Sequence, residues 1–218
     1  GNFGSFISRS LAKHGNINLI IAGRSLNKAE VLAQEINAEA AFIDIHKSLD
    51  VRLQEIKPDI VIHTSGPFQS QGYDVAEACI NCGAHYIDLA DGREFVSGIG
   101  YLDQKAKKAD ILVVSGASSV PCLTSALIDH YRDSFKILEN LDYGITTAQK
   151  TTRGVATTAA ILSYTGKPFK TLIDGEEKDI YGWQGLRSRK YPGLGWRLLG
   201  NCNVPDLELF PKMYPELK

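Results

Sequence analysis

Short apolar runs alternate, through the first half of this chain, with stretches whose apolar residues recur at helical spacing. Residues 17–22, 41–45, 59–63, 86–89 and 111–115 read as strands, and 3–13, 27–36, 51–56, 73–81 and 94–108 as helices. The strand-type runs are almost continuously apolar. A strand of that kind is buried on both faces, which places it in a parallel sheet with helices above and below. The loops that follow the runs carry Gly, Ser, Thr and Pro, and the carboxyl ends of such a sheet are where α/β folds bind ligands. The pattern predicts an α/β fold, a parallel sheet with helices on both faces, over residues 1–120.

After Val120 the pattern changes. A helix is expected over 123–131, a strand over 138–147 and a helix rich in small residues over 154–164. The runs 169–173 and 178–183 flank Asp174-Gly175 and predict a hairpin. Residues 121–218 are therefore expected to form an α+β, substrate-side domain.

Composition narrows the partners. The 218 residues carry a formal net charge of −1, and no dense Lys/Arg run supplies the basic stripe that nucleic acid requires. No apolar stretch reaches the roughly 20 residues of a membrane helix. The chain has 4 cysteines, too few for a disulfide scaffold, so a reducing, cytoplasmic setting is expected. The expected partner is a small molecule, with neither nucleic acid nor membrane.

The opening Gly1-Asn2-Phe3-Gly4 has the spacing of the last two glycines of G-x-G-x-x-G, at the start of a helix. Glycine there lets a pyrophosphate approach the helix N-terminus, whose free N–H groups and dipole favour an anion. Because these residues read as the middle of a motif, we expect sequence upstream, a first strand missing from the sheet, and a second domain incomplete at Leu217-Lys218. The next polar loop reads Gly23-Arg24-Ser25, with Lys28 one helical turn on. A carboxylate at this place holds the ribose 2′-hydroxyl of NAD, whereas an Arg fork with a hydroxyl suits a 2′-phosphate. NADP is the expected cofactor. The other reading makes Arg24 a solvated side chain and Ser25 a helix N-cap. Asp44 is placed either to accept from the adenine amino group or to cap its own loop. Ser65, Gly66 and Pro67 end another strand, where Gly66 lets backbone lie against the nicotinamide ribose.

Several motifs in order carry a family resemblance. Ala22-Gly23-Arg24-Ser25 is followed by Thr64-Ser65-Gly66-Pro67-Phe68, Gly72, Val75, Ala78-Cys79, Gly83 and His85-Tyr86-Ile87-Asp88. Gly116-Ala117-Ser118-Ser119-Val120-Pro121 leads into the second half. The chain resembles the saccharopine dehydrogenase-like family from Gly1 to Asp129, and more loosely beyond. The resemblance implies a Rossmann domain, a mixed substrate domain that often dimerises, and NAD(P)-linked redox chemistry on secondary amines between an amino acid and a carbonyl partner. A homodimer and an amino-acid-like substrate are the corresponding expectations.

Hydride transfer needs positioning, exclusion of water and a proton path. Asp91 follows a strand and could face substrate, or cap the helix ahead of Phe95. Arg153 could clamp a substrate carboxylate, or lie at the surface, and Arg187, Arg189 and Arg197 are further cations of the second half. Cys122 at a helix start could serve as a nucleophile in an acyl-type dehydrogenation, or fill space as a small hydrophobe. Cys79-Ile80-Asn81-Cys82 lacks the second pair a zinc ribbon needs, so no metal is expected. The scattered histidines, His63 and His85 among them, read as core or ribose-contacting. The expected function is an NADP-dependent oxidoreductase. The alternative is a non-catalytic dinucleotide-binding protein with a binding or assembly role.

Overall fold

The structure is a computed structural model that describes residues 1–146 and 155–218, with the side chains of 158–218 in the second stretch. Its elements run α1 (Asn2–Leu11), β1 (Ile20–Gly23), α2 (Leu26–Ile36), β2 (Glu39–Phe42), α3 (Leu49–Ile56), β3 (Ile60–His63), α4 (Asp74–Cys82), β4 (His85–Asp88), α5 (Arg93–Gly98), α6 (Asp103–Ala109) and β5 (Val113–Val114). There follow α7 (Thr124–Tyr131), α8 (Val155–Ser163), β6 (Pro168–Ile173), β7 (Glu176–Tyr181), β8 (Arg187–Tyr191), β9 (Gly195–Leu199) and α9 (Asp206–Met213). The chain divides into two compact units. The first holds Gly1–Ser65, Gly72–Asp88 and Tyr101–Val114; the second holds Gly66–Gln71, Leu89–Gly100 and Ser115–Lys218.

The first unit is the α/β part. Its strands pair in parallel, β1 with β2 and, separately, β3 with β4 and β4 with β5. Between β1 and β3 there is no ladder. The helices take their places for local reasons. Ala29 and Ala33, four residues apart, give α2 a small buried face, and Leu49 and Leu53 do the same for α3. Helix α4 buries Val75, Ala78 and Cys79. It ends at Gly83, whose φ of +80° lets the Ala84 N–H reach the Cys79 carbonyl at 2.9 Å. Helix α1 buries none of its residues.

In the second unit, Phe68 lies on Phe95 with ring centroids 5.3 Å apart. Gly116 has a φ of +81°, and a Cβ there would meet Pro121 Cδ at 2.7 Å; only glycine fits. Leu138, Phe210 and Tyr214 form a small core with Ile128, Leu141, Tyr143 and Leu217 against it. The predicted hairpin is β6–β7, closed by Asp174 and Gly175 at φ of +55° and +79°. Positive φ at both loop residues is the twist a two-residue hairpin prefers.

Some predicted elements differ. The strand expected at 41–45 ends at Phe42, because Asp44 turns back on Lys47. The helix expected over 94–108 breaks between Gly98 and Asp103, where the chain passes from the second unit into the first. Residues 138–146 are not a strand. A strand needs a neighbour, and none pairs with this segment among the described residues. Thr147 and Gly154, at the edges of two predicted elements, lie outside the described residues.

Candidate functional site

The dinucleotide-type features of the first unit gather at strand carboxyl ends. Gly1 is the N-cap of α1, so Asn2, Phe3 and Gly4 form its first turn. A Cβ on Gly4 would meet Thr64 Oγ1 at 2.8 Å. The start of α1 thus lies against the loop that leaves β3, so close that a Cβ at position 4 would require the helix or the Thr64 hydroxyl to shift. Thr64 is followed by Ser65 in that loop, so the helix N-terminus and this hydroxyl-bearing turn are neighbours.

Arg24 and Ser25 directly follow β1. Ser25 occupies the N-cap position of α2 but its side chain makes no capping hydrogen bond. The N-cap reading holds for position and not for the hydroxyl. Arg24 and Lys28 are exposed, and neither side chain is in a hydrogen bond or ion pair among the described residues. Three potential phosphate ligands therefore stand uncommitted around the first turn of α2. Asp44 Oδ1 accepts the His46 N–H at 3.1 Å, so Asp44 caps its own turn with one oxygen.

Beneath these loops the unit buries a polar group that sequence reasoning read only in part. His63 and Asp88 end β3 and β4 in register. Their side chains are 5% and 0% exposed. His63 Nδ1 lies 3.0 Å from Tyr86 Oη. Burial lowers the His63 imidazole to about 4, although the charge of Asp88 pulls the other way. Burial, then the charge of Asp88 and a hydrogen bond to it, push the Tyr86 phenol well above its ordinary range. His63 is thus a neutral core histidine, in keeping with one of the two roles expected for it. The Cys79 thiol is wholly buried and pushed up to about 12, first by burial. It is a packing residue, and Cys82 Sγ donates to the Cys79 carbonyl.

In the second unit, Gly66 and Pro67 open the segment 66–71. Gln69 Nε2 donates to Asp91 Oδ1 at 3.0 Å, so the loop after β3 holds the carboxylate of the loop after β4. Asp91 does not cap α5: the N-cap is Gly92. Two groups remote in sequence feel its charge. Tyr164 Oη and Cys202 Sγ are 3.0 Å apart, and the Tyr164 ring stacks on Trp183 at an interplanar angle of 4°. Burial first, then Cys202 and the charge of Asp91, raise the Tyr164 phenol. Burial also raises the Cys202 thiol, with the charges of Asp91 and Asp206 adding to it. Tyr164 and Cys202 thus form one bonded pair that feels the charge of Asp91. No spacing rule joins positions 91, 164 and 202, so Tyr164 and Cys202 gave no local signal.

Arg93 is a second residue without one. Its side chain is 12% exposed. It donates to the Lys170 carbonyl at 2.6 Å and to Glu208 Oε2 at 2.9 Å, pinning α5 to β6 and α9. Arg187 and Arg189 both pair with Asp142, which engages two of the cations considered for substrate. Cys122 is exposed and sits in the turn before α7, with no hydrogen-bond partner among the described residues. Arg153 lies outside the described residues. Among the described residues, no group of three or more His, Cys, Asp or Glu could hold a metal ion, and no helix is long and apolar enough to cross a membrane.

Residues 1–114 match the family described as "Saccharopine dehydrogenase NADP binding domain". No curated protein matches the chain. Among solved structures, the apo, histidine-tagged saccharopine dehydrogenase (L-Glu forming) from Saccharomyces cerevisiae is 17% identical with a TM-score of 0.69. That likeness covers 100% of this chain and 51% of the yeast one, and it is a likeness of fold. An NAD binding oxidoreductase from Klebsiella pneumoniae is 19% identical over 60% of this chain and 35% of its own, with a TM-score of 0.38, too low to carry an argument.

Proposed function

Since this chain belongs to the saccharopine dehydrogenase NADP-binding family over residues 1–114, we propose that it works as an NADP-dependent oxidoreductase on C–N bonds of an amino-acid-derived substrate. The supporting observation is the approach of Gly4 to Thr64, which brings a helix N-terminus to the strand-end loop with no side chain between. In this reading the first turn of α1 takes the pyrophosphate. Arg24, Ser25 and Lys28 take the 2′-phosphate, which their lack of other partners among the described residues leaves them able to do. Asp44, with the oxygen that His46 does not use, accepts from the adenine amino group. The turn Ser65-Gly66-Pro67 takes the nicotinamide ribose. The cofactor supplies hydride chemistry; the protein binds, orients and moves a proton. Asp91, whose charge is felt at Tyr164 and Cys202, is the substrate-side acid–base group of this proposal. Arg153 serves as a carboxylate clamp. Cys122, exposed and with no hydrogen-bond partner among the described residues, has no place in it. The proposal extends to a cytoplasmic homodimer, with residues 1–120 serving the cofactor and 121–218 the substrate.

The affinity test is direct. The protein should bind NADPH more tightly than NADH. Arg24→Ala should weaken NADPH roughly tenfold to a hundredfold, the range of a lost charge-assisted hydrogen bond, and leave NADH unchanged. Equal affinities in both proteins would remove the 2′-phosphate assignment.

We also infer that the first unit's sheet takes one more parallel strand, between β1 and β3. The two ladders leave an edge on each. Ile20 on β1 and Ile60 on β3 are 38% and 51% exposed, and Phe3 and Phe6 on α1 are 63% and 71% exposed. An apolar strand between them, entering α1 through a glycine turn, would cover all four and complete a doubly wound sheet. A polypeptide extended upstream of Gly1 should therefore slow amide exchange in β1 and β3. Unchanged exchange there would count against the added strand.

A further inference from the structure

Within the second unit, segment 66–71 and the loop ahead of α5 are built as one piece. Phe68 and Phe95, each 6% exposed, anchor them to each other ring on ring. Beside that anchor the backbones touch. A Cβ on Gly92 would meet Gln69 N, Cα and Cγ at 3.5 to 3.6 Å, so Gly92 lies on the Gln69 backbone. Segment 66–71 is also closed on itself. Gln71 Nε2 donates to the Pro67 carbonyl at 3.1 Å, and the Gln71 N–H donates to the Phe68 carbonyl at 3.2 Å. From this closed turn Gln69 sends its side chain across, and its Nε2 donates to Asp91 Oδ1 at 3.0 Å.

Folding does not call for that bond. Gln69 is exposed and Asp91 half-buried, so water can serve both groups, and an exchange of water for a neighbour adds little to stability. A placed donor has another effect. The carboxylate of an aspartate turns broadly about its last torsion, and a donor fixed on one oxygen stops that rotation. With Oδ1 held, Oδ2 faces one direction. Proton transfer needs the carrier within hydrogen-bond reach of the atom it serves, and a misplacement of about 1 Å can cost on the order of a hundredfold in rate.

We infer that Gln69 is the positioning residue of Asp91: it holds the carboxylate through Oδ1 and leaves Oδ2 to exchange a proton with the substrate nitrogen. This role rests on the acid–base reading of Asp91 proposed above. Gln69 follows Pro67 by two residues. The turn proposed to seat the nicotinamide ribose therefore also sets the carboxylate, and cofactor and proton carrier share one frame.

The assay is NADPH oxidation by the whole chain with a panel of amino acids paired with 2-oxo acids. Gln69→Met removes the donor at nearly the same shape. It should lower kcat roughly tenfold to a hundredfold and leave the NADPH Kd unchanged. Gln69→Glu keeps the shape but sets carboxylate against carboxylate, and should lose at least as much. Gln69→His offers a ring N–H at similar reach and should recover most of the rate. A residue that only packs would tolerate Glu and Met and suffer with His. Unchanged kcat in Gln69→Met or in Gln69→Glu would overturn the inference. If the wild-type chain oxidises NADPH with no pair of the panel, the acid–base reading of Asp91 falls, and the hold on Asp91 is read without turnover. The Gln69 side-chain amide protons, followed by nitrogen-15 NMR, should move in Asp91→Ala. Unmoved signals would mean that the two side chains are not bonded, and would overturn the role of Gln69 by themselves. That measurement needs no Gln69 variant, so it also decides the matter where such a variant fails to fold.

Discussion

Acid should unfold the first unit through His63, and the size of the effect follows from its burial. An exposed histidine titrates at its ordinary 6.5, whereas His63 in the fold titrates at about 4. The unfolded chain therefore takes up the proton first. Stability from this group is complete above pH 6.5, falls as the pH drops towards 4, and is flat below. The gap between the two values corresponds to about 3 kcal/mol, a large part of the 5–15 kcal/mol that typically holds a domain folded. Because His63 is 5% exposed, solvent screening takes little from that figure. His63→Phe keeps a ring beside Tyr86 and cannot be protonated. It should cost a constant amount at every pH through the lost bond to Tyr86 Oη, while its loss of stability between pH 6.5 and 4 should be smaller in total by about 3 kcal/mol. Hydrogen exchange of the Tyr86 amide, which donates to the Leu112 carbonyl at 2.9 Å, reads the stability of this ladder alone once corrected for the intrinsic pH dependence. Equal acid slopes in the two proteins would refute the argument, since His63 would then have to be protonated as readily in the fold as in the open chain.

Gly4→Ala places a methyl group 2.8 Å from Thr64 Oγ1, so α1 or the Thr64 hydroxyl must shift, and dinucleotide affinity should drop. Adding Thr64→Ala removes the obstructing oxygen and should restore most of it; titration calorimetry on the single and double variants checks this, and undiminished binding by Gly4→Ala would contradict the close approach. Gly116→Ala meets both a φ of +81° and Pro121 Cδ at 2.7 Å. It should destabilise the second unit by more than the roughly 1 kcal/mol of an ordinary strained turn, seen as a lower urea midpoint in the fluorescence of Trp183 and Trp196, whereas an unchanged midpoint would mean that the turn relaxes freely.

The sequence by itself determined what depends on neighbours along the chain. Apolar runs of strand length, helices with small residues four apart, the glycine end of α4 and the Asp174-Gly175 turn all follow from backbone geometry and local propensity. The glycines at the start of α1 and the Gly23-Arg24-Ser25 turn belong to the same class, because a phosphate seat is built mostly from contiguous backbone. Tertiary structure alone decided which distant segments meet. It joined Tyr164 to Cys202 across 38 positions and Thr124 to Asp206 across 82. It gave Asp91 to Gln69 rather than to a helix cap. It also left 138–146 without, among the described residues, the strand pairing that its composition favours, because a strand is a property of two segments and only one of them is written in that stretch. Buried polar groups belong here too: whether His63 is a ligand or a core residue depends on how completely other side chains enclose it, and enclosure has no signature within a few residues of His63.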